Sequence, residues 1–188
     1  MHTMKIFKTK IEGLLIIEPQ VFRDERGFFM ETYNKEKYEN IGILDDFMQD
    51  NLSKSAKGVL RGLHFQKNPY AQGKLVQVIK GSVLDVAVDI RKKSKTFGEW
   101  VSVELSEKNK KQFWLPAGFA HGFISLENDT IFNYKCTNVY NPKSEGAILW
   151  NDKKINIDWQ LEKYNIKDPI VSNKDKENVT FEELDYYF

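Results

Sequence analysis

The sequence predicts an all-β domain built as an antiparallel sandwich or barrel. Residues 74–80 and 83–90 each have the pattern of a strand, and Gly81-Ser82 between them has the chemistry of a tight turn. Further strand candidates follow at regular spacing, separated by Gly, Asn and Pro, which is typical of sandwiches and barrels. These candidates are residues 98–105, 112–115, 122–126, 131–140 and 147–150.

Helical signals are weak. Residues 34–41 predict one short helix, and residues 180–187 predict a frayed helix that opens at Thr180. We expect residues 1–5 and about 176–188 to be peripheral tails, the second because it is rich in Lys, Asp and Glu. The chain, 1–188, is therefore predicted to form a single domain without a linker or an internal repeat.

The composition excludes several classes of protein. Of the 188 residues, 41% are hydrophobic and 29% charged, as in ordinary globular proteins, and the net charge is only +1. The chain lacks the large positive charge that would attract nucleic acid or a membrane surface, so neither is an expected partner. Cys136 is the one cysteine, which excludes a disulfide framework and favours a small buried side chain. No apolar run approaches the roughly 18 residues of a membrane span, so we expect a cytoplasmic protein.

Strand 83–90 carries two acidic residues on one face. Alternation places Asp85, Ala87 and Asp89 together, opposite four aliphatic side chains. Solvent exposure is the commoner explanation for such a face, and a polar cavity is the alternative.

The segment VLRGLHFQ, residues 59–66, brings an arginine and a histidine into one apolar strand. A lone histidine in such a run is more often structural than catalytic. Strict alternation also places Arg61 and His64 on opposite faces. Gly62 between them offers a bulge that would re-aim the two side chains.

The segment LPAGFAHGF, residues 115–123, places His121 just after a tight turn. This histidine is either a capping group or a ligand at the mouth of a barrel, and the spacing resembles the second motif of metal cupins. The first cupin motif has a His-x-His pair, but here His64 is followed by Phe65 and Gln66. Because the remaining histidine, His2, lies near the terminus, we predict that there is no metal site.

Two more segments combine aromatic and polar side chains. In residues 132–142, alternation places Tyr134 on one face with Cys136 and Asn138, either as a proton donor or as a packing residue. In residues 19–34, arginines alternate with phenylalanines, which favours either nucleotide contacts or an edge strand with solvated charges.

Taken together, these segments resemble the dTDP-4-dehydrorhamnose 3,5-epimerase family of deoxysugar biosynthesis. The resemblance runs from about Val21 to Asp175 and includes FRDERGFFMETYN, QDNLSKSAKGVLRGLHFQ, AQGKLVQVIKGSVLDVAVDIRKKSKTFGEW, LPAGFAHGF, YKCTNVYNPKSEGAILWND and SNKD. It implies a cupin-like jelly-roll barrel with a few short peripheral helices. It also implies a cytoplasmic homodimer that uses a small nucleotide-sugar substrate without a metal or a cofactor.

The resemblance implies four catalytic residues: His64 as the base, Asp175 as its orienting carboxylate, Lys74 at the developing enolate and Tyr134 as the acid. It implies a wider set of substrate contacts, which are Arg26 and Arg61 at the pyrophosphate, Tyr140 against the thymine, Glu31 of the partner subunit, and Gln49, Asn51, His121, Glu145, Lys174, Phe22 and Phe28. His121 would pair with Asp85. The chain departs from many relatives at Val139, where they have a tyrosine, but alternation turns Val139 away from Tyr134.

The implied reaction inverts C3 and C5 of dTDP-4-dehydro-6-deoxy-D-glucose to give dTDP-4-dehydro-L-rhamnose. Both carbons adjoin the C4 carbonyl, so loss of either proton gives an enolate. A neutral imidazole suits the abstraction, and inversion requires a second group that protonates the opposite face. Two alternatives stay open: inversion of C3 alone or of another nucleotide-linked 4-keto sugar, and a cupin that binds a sugar nucleotide without catalysis. Binding alone would require neither a base nor an acid.

Overall fold

The structure, a computed structural model, describes residues 4–188, so His2 lies outside the described residues. Strands dominate, and two short α-helices and one 3-10 turn complete the described elements. In chain order they are β1 (Lys5–Lys8), β2 (Leu15–Glu18), β3 (Val21–Asp24), β4 (Gly27–Met30), α1 (Lys35–Glu39), β5 (Gln49–Ser55), β6 (Val59–Gln66), β7 (Lys74–Lys80), β8 (Ser82–Asp89), β9 (Trp100–Ser106), β10 (Gln112–Leu115), β11 (Phe119–Ser125), β12 (Thr130–Cys136), the 3-10 turn (Pro142–Ser144), β13 (Glu145–Ala147), β14 (Ile170–Val171) and α2 (Asn173–Lys176).

The strands form two large sheets and a separate hairpin. The first sheet has the order β1-β2-β10-β7-β12-β5, and the second has the order β13-β6-β11-β8-β9, with β14 added parallel to β6. All other pairs are antiparallel, and β3 pairs only with β4. The prediction of an all-β, cupin-like jelly roll with a few short helices is confirmed. None of the helices within residues 4–188 has the length and apolar character to cross a membrane.

The second sheet is buried on both faces. One face packs against the first sheet, where Val76, Phe113 and Phe132 meet Ala87 and Phe123. The other face is covered by the chain after β13, which contributes Ile148, Ile155, Trp159, Ile166, Phe181 and Leu184. Strand β8 in the middle of this sheet is therefore buried along its whole length.

Of the two explanations for the acidic face, the commoner one, solvent exposure, is wrong, because Asp85 and Asp89 are both fully buried. Asp89 accepts hydrogen bonds from the side chains of Arg91, Ser94 and Thr96. Burial alone would raise the pKa of Asp89, but these donors lower it below its ordinary value. A buried carboxylate needs such partners to stay ionised.

The predicted elements agree with the structure as far as β12, and the elements predicted after it do not. Helix α1 confirms the helix over 34–41, and Asn34 caps it by accepting from the Lys37 backbone N–H. The strand predicted over 131–140 ends at Cys136, and that over 147–150 is replaced by β13 and a single bridge at Ile148. Residues 180–187 form no helix, because Phe181 and Leu184 turn into the core.

The two predicted tails, 1–5 and about 176–188, can be compared with the structure only over residues 4–5 and 176–188, because residues 1–3 lie outside the described residues. Lys5 begins β1, which pairs with β2. The backbone of Phe188 bonds to Ile90 and Lys92, which fixes the last residues against the second sheet. The expectation of a peripheral tail over 176–188 is therefore wrong for its aromatic residues, since the hydrophobic gain of burying them outweighs the charged neighbours.

Gly62 forms the predicted bulge in β6. His121 pairs with His64 but Phe123 pairs with Arg61, so β6 has one extra residue between the two pairs. Gly62 has a φ of +129°, and a Cβ placed on it would lie 2.5 Å from the Cα of Gly122. Only glycine fits here, and the extra residue turns Arg61 and His64 to the same face.

We expect Gly62→Ala to destabilise the fold by about 3 kcal/mol or more, through a left-handed backbone and a clash with backbone that cannot move away. Gly42→Ala is the matched control, because Gly42 also has a positive φ, +93°, but has open space around its Cα. The control should lose about 1–2 kcal/mol. Denaturant unfolding measures both, and equal losses would show that the close approach to Gly122 is unimportant.

Candidate active site

A cavity of about 670 Å³ is lined by strands of both sheets and by the β14–α2 segment. This volume lies within the range of small-molecule sites. Most of the sequence-predicted site residues line it, namely Gln49, Asn51, Arg61, His64, Lys74, His121, Tyr134, Tyr140, Glu145, Lys174 and Asp175.

His64 and Asp175 form a hydrogen-bonded pair in this cavity. The Nε2 atom of His64 lies 2.6 Å from Oδ1 of Asp175. Ser172 caps α2 by accepting from the Asp175 backbone N–H, which fixes the carboxylate at the start of the helix. Because Nε2 is engaged, Nδ1 is the free nitrogen of the His64 ring.

The Asp175 carboxylate is ionised despite its burial. It is only 4% exposed, and burial alone would raise its pKa. The hydrogen bond and charge of His64, together with donors from the Gly62 backbone and Ser172, lower the pKa of Asp175 below its ordinary value. A carboxylate held in this way fixes the imidazole tautomer and stabilises the imidazolium.

Lys74 and Tyr134 face the same cavity from neighbouring strands, β7 and β12. Burial lowers the pKa of Lys74, although the nearby carboxylates Asp85 and Glu145 oppose that shift. Burial raises the pKa of Tyr134, with Arg61 opposing it. Tyr134 therefore keeps its phenolic proton at neutral pH and can donate it, while Lys74 supplies a donor for a negatively charged oxygen.

His121 pairs with Asp85, as the resemblance implied. Its Nε2 lies 3.0 and 2.9 Å from the two oxygens of the Asp85 carboxylate, and its ring stacks over Phe132. Burial raises the pKa of Asp85, while His121 and Lys74 oppose the shift. This second imidazole–carboxylate pair lies deeper than the first, because His121 is 7% exposed and Asp85 is fully buried.

A chain of polar contacts connects Tyr140, Glu145 and Lys174 in the cavity lining. The Tyr140 hydroxyl donates to Oε2 of Glu145 at 3.0 Å, and Nζ of Lys174 lies 2.7 Å from the same oxygen. Burial would raise the pKa of Glu145, but these two donors lower it overall. Tyr140 is half exposed, so one face of its ring is available to a ligand.

Arg61, Gln49 and Asn51 complete the predicted lining. The Arg61 side chain is exposed, with one weak contact from Nε to the Ser55 hydroxyl at 3.4 Å, so its guanidinium is available to an anion. Gln49 and Asn51 bond to each other, the Gln49 amide donating to Oδ1 of Asn51 at 2.9 Å.

Four predicted contacts lie outside this cavity, on or near the β3–β4 hairpin. Arg26 pairs with Asp24, and Glu31 pairs with Lys37 and Asn34. The two phenylalanines of the set, Phe22 and Phe28, are about half exposed. Within one chain, none of these four side chains lines the cavity.

The sequence reasoning missed several lining residues. Gln66 stands in the quoted motif VLRGLHFQ but was not assigned a role, and Ser172 stands at the cap position of a Ser-x-x-Asp helix start. Phe123 and Phe132 stack on each other at 4.2 Å, a contact between distant strands that no local pattern indicates. Ser53 and Gln72 are the remaining polar residues of this kind.

The described residues also contain no group of three or more His, Cys, Asp and Glu side chains arranged to hold a metal ion. Each cavity histidine is instead paired with one carboxylate.

One family model matches the chain over residues 8–183, and its description is dTDP-4-dehydrorhamnose 3,5-epimerase. The chain belongs to this family. The family consists of isomerases, so the protein is an enzyme of that class.

Individual family members are similar over nearly their whole length. The dTDP-4-dehydrorhamnose 3,5-epimerase of Shigella flexneri is 53% identical over 98% of this chain and 99% of its own. That of Salmonella typhimurium is 57% identical over 88% of this chain and 92% of its own. A crystal structure of dTDP-6-deoxy-D-glucose-3,5-epimerase from Legionella pneumophila, in complex with dTDP-4-keto-L-rhamnose, is 50% identical. It has a TM-score of 0.92 and covers 97% of this chain and 95% of that one.

Proposed function

We propose that this enzyme inverts C3 and C5 of dTDP-4-dehydro-6-deoxy-D-glucose and thereby forms dTDP-4-dehydro-L-rhamnose for deoxysugar biosynthesis. The observation that carries the proposal is that one cavity is lined by an oriented imidazole, a lysine and a protonated tyrosine. Membership of the family supports this reaction, and so does the dTDP-4-keto-L-rhamnose bound to the Legionella relative, which is the proposed product.

The first step is proton abstraction by His64. Nδ1 takes the proton from C3 or C5, and the C–H electron pair moves into the C4 carbonyl to form an enolate. Asp175 holds Nε2 at 2.6 Å, which stabilises the positive charge that the ring acquires. Lys74 donates to the enolate oxygen, and one such donor is typically worth about 3–4 kcal/mol in the transition state.

The second step is protonation from the opposite face of the ring by Tyr134. The phenol gives its proton to the carbanionic carbon and the C4 carbonyl re-forms. The His64 imidazolium then releases its proton to solvent and the Tyr134 phenolate takes one up from solvent, so that both groups are restored before the next inversion. The raised pKa of Tyr134 favours the neutral phenol between turnovers. This sequence requires no metal ion and no cofactor.

The nucleotide supplies binding energy away from the reacting carbons. Arg61, which is exposed in the cavity lining, is suited to the pyrophosphate, and the half-exposed ring of Tyr140 is suited to stacking on the thymine. Lys174 and Glu145 lie beside Tyr140, and Gln49, Asn51 and His121 complete the lining.

We also propose a two-fold homodimer in which Arg26, Glu31, Phe22 and Phe28 serve the site of the partner subunit. The β3–β4 hairpin pairs with no other strand of the described chain, and it presents aromatic side chains to solvent. Exposed aromatic clusters commonly mark interfaces, and closed two-fold symmetry is the commonest arrangement.

Solvent exchange separates the two catalytic roles. In deuterated water, His64→Ala should abolish deuterium entry at both carbons, because one base serves both abstractions. Tyr134→Phe keeps the base, so deuterium should still enter the starting material on the original face while inverted product falls by about 10²–10⁴-fold. NMR of the sugar ring distinguishes these results, and EDTA should change neither.

Several outcomes would contradict this assignment. Near-normal inversion by Tyr134→Phe would make the tyrosine a lining residue only, and loss of exchange as complete as in His64→Ala would show that the roles are not separable. Exchange and inversion confined to C3 in the unaltered enzyme would instead identify a C3 epimerase. Inactivation by EDTA with rescue by a divalent ion would refute the metal-free mechanism.

The dimer predicts that the hairpin matters for both assembly and activity. Light scattering should give twice the mass of the 22.0 kDa chain. Phe28→Asp should weaken association and lower activity together, since it places a charge in the interface without touching the cavity of its own chain. A fully active monomer would refute the proposed assembly.

A further inference from the structure

We propose that Gln66 and Gln49 are positioning residues that set the place of Tyr140 before substrate arrives. Three consecutive backbone groups, the carbonyl of Val139 and the N–H groups of Tyr140 and Asn141, all bond to these two glutamine side chains. This inference rests on the proposed function, because it takes the ring of Tyr140 to contact the nucleotide.

Gln66 is the central member of this arrangement. Its side chain is 4% exposed and lies at the end of β6, two positions after His64. Its amide nitrogen donates to the carbonyls of Tyr70 at 2.6 Å and Val139 at 3.1 Å, and its amide oxygen accepts from the Asn141 N–H at 2.7 Å. Both amide hydrogens are therefore used within the protein, which leaves neither of them for a ligand.

Gln49 supports the same segment from the other sheet. Its amide oxygen accepts from the Tyr140 N–H at 2.8 Å, and its amide nitrogen donates to Asn51. Gln49 is thus a contact of Tyr140 as well as a predicted contact of the nucleotide.

The segment depends on these side chains because it has no ladder of its own. Strand β12 ends at Cys136 and the 3-10 turn begins at Pro142, so residues 137–141 belong to no strand or helix. Gln72 and Thr137 add two more bonds to the neighbouring loop. At the far end of the Tyr140 side chain, Glu145 accepts from the hydroxyl. An aromatic ring held at its backbone and at its hydroxyl loses little conformational entropy on binding.

The test is a double-mutant cycle between Gln66 and Tyr140, with the affinity for dTDP measured by calorimetry. Tyr140→Ala should weaken dTDP binding by about 5- to 150-fold, the usual range for one stacked base. Gln66→Met has a similar shape but makes none of the three bonds, and it should weaken dTDP binding by roughly 5-fold. Because Gln66 acts through Tyr140, adding Gln66→Met to Tyr140→Ala should cause little further loss.

Kinetics provide a second readout that a general loss of stability would not mimic. Gln66→Met should raise KM while leaving kcat and deuterium exchange at saturating substrate nearly unchanged. Gln66→Glu keeps the acceptor for Asn141 but loses donors, so it should also weaken dTDP binding. Gln77→Met is the matched control, since the Gln77 amide also makes hydrogen bonds within the protein, in its case to the side chains of Gln112 and Asn133, but does not line the cavity. Gln77→Met should leave the dTDP affinity unchanged, even where its melting temperature is as low as that of Gln66→Met.

Four results would overturn the inference. Unchanged dTDP affinity in Gln66→Met, or full additivity with Tyr140→Ala, would show that Gln66 does not act through Tyr140. Equal weakening in Gln77→Met would assign the effect to stability alone. Unchanged dTDP affinity in Tyr140→Ala would show that Tyr140 does not contact the nucleotide. The proposed reaction would still be supported in that case if deuterium exchange were lost in His64→Ala.

Discussion

The close approach of Gly62 to Gly122 is the contact on which the geometry of the site depends. The two backbones lie so near that a Cβ on Gly62 would reach 2.5 Å from the Cα of Gly122, and a Cβ on Gly122 would reach 2.7 Å from the Arg61 carbonyl oxygen. The extra residue in β6 turns Arg61 and His64 to the same face. The same Gly62 supplies a backbone donor to Asp175. One bulge therefore provides both the position of the proposed base and part of the support for its carboxylate.

Burial of the second sheet on both faces gives the site its electrostatic character. The chain after β13 covers the outer face of this sheet, so its polar side chains are surrounded by protein and not by water. Such surroundings penalise an isolated charge. Asp175 in the cavity lining and the fully buried Asp85 consequently each have an imidazole partner, His64 and His121 respectively. Burial also lowers the pKa of Lys74 and raises that of Tyr134, both on the first sheet, which suits an enolate-stabilising amine and a neutral proton donor.

The sequence predicted most of the central strands because their alternation and turn residues are local signals. Gly62 was recognised as a bulge for the same reason, and it resolved the conflict between Arg61 and His64. The pairing of His64 with Asp175 could be expected only from the resemblance, since 111 positions separate them. Burial of Phe181 and Leu184 was missed, because it depends on which distant segment covers the outer face of the second sheet. The bonds of Gln66 were missed because they go to backbone groups of two loops, which have no signature in residue type.

The account depends most on the protonation state of His64, which the 15N chemical shifts of its imidazole report directly. In uniformly 15N-labelled protein at neutral pH, the His64 signals are identified by their loss in His64→Ala. Because Asp175 accepts a hydrogen bond from Nε2, this nitrogen should carry the proton and show the shift of a protonated ring nitrogen. Nδ1 should be unprotonated and free to act as the base. A proton on Nδ1 with an unprotonated Nε2 would contradict the account, because the nitrogen assigned to proton abstraction would already be occupied.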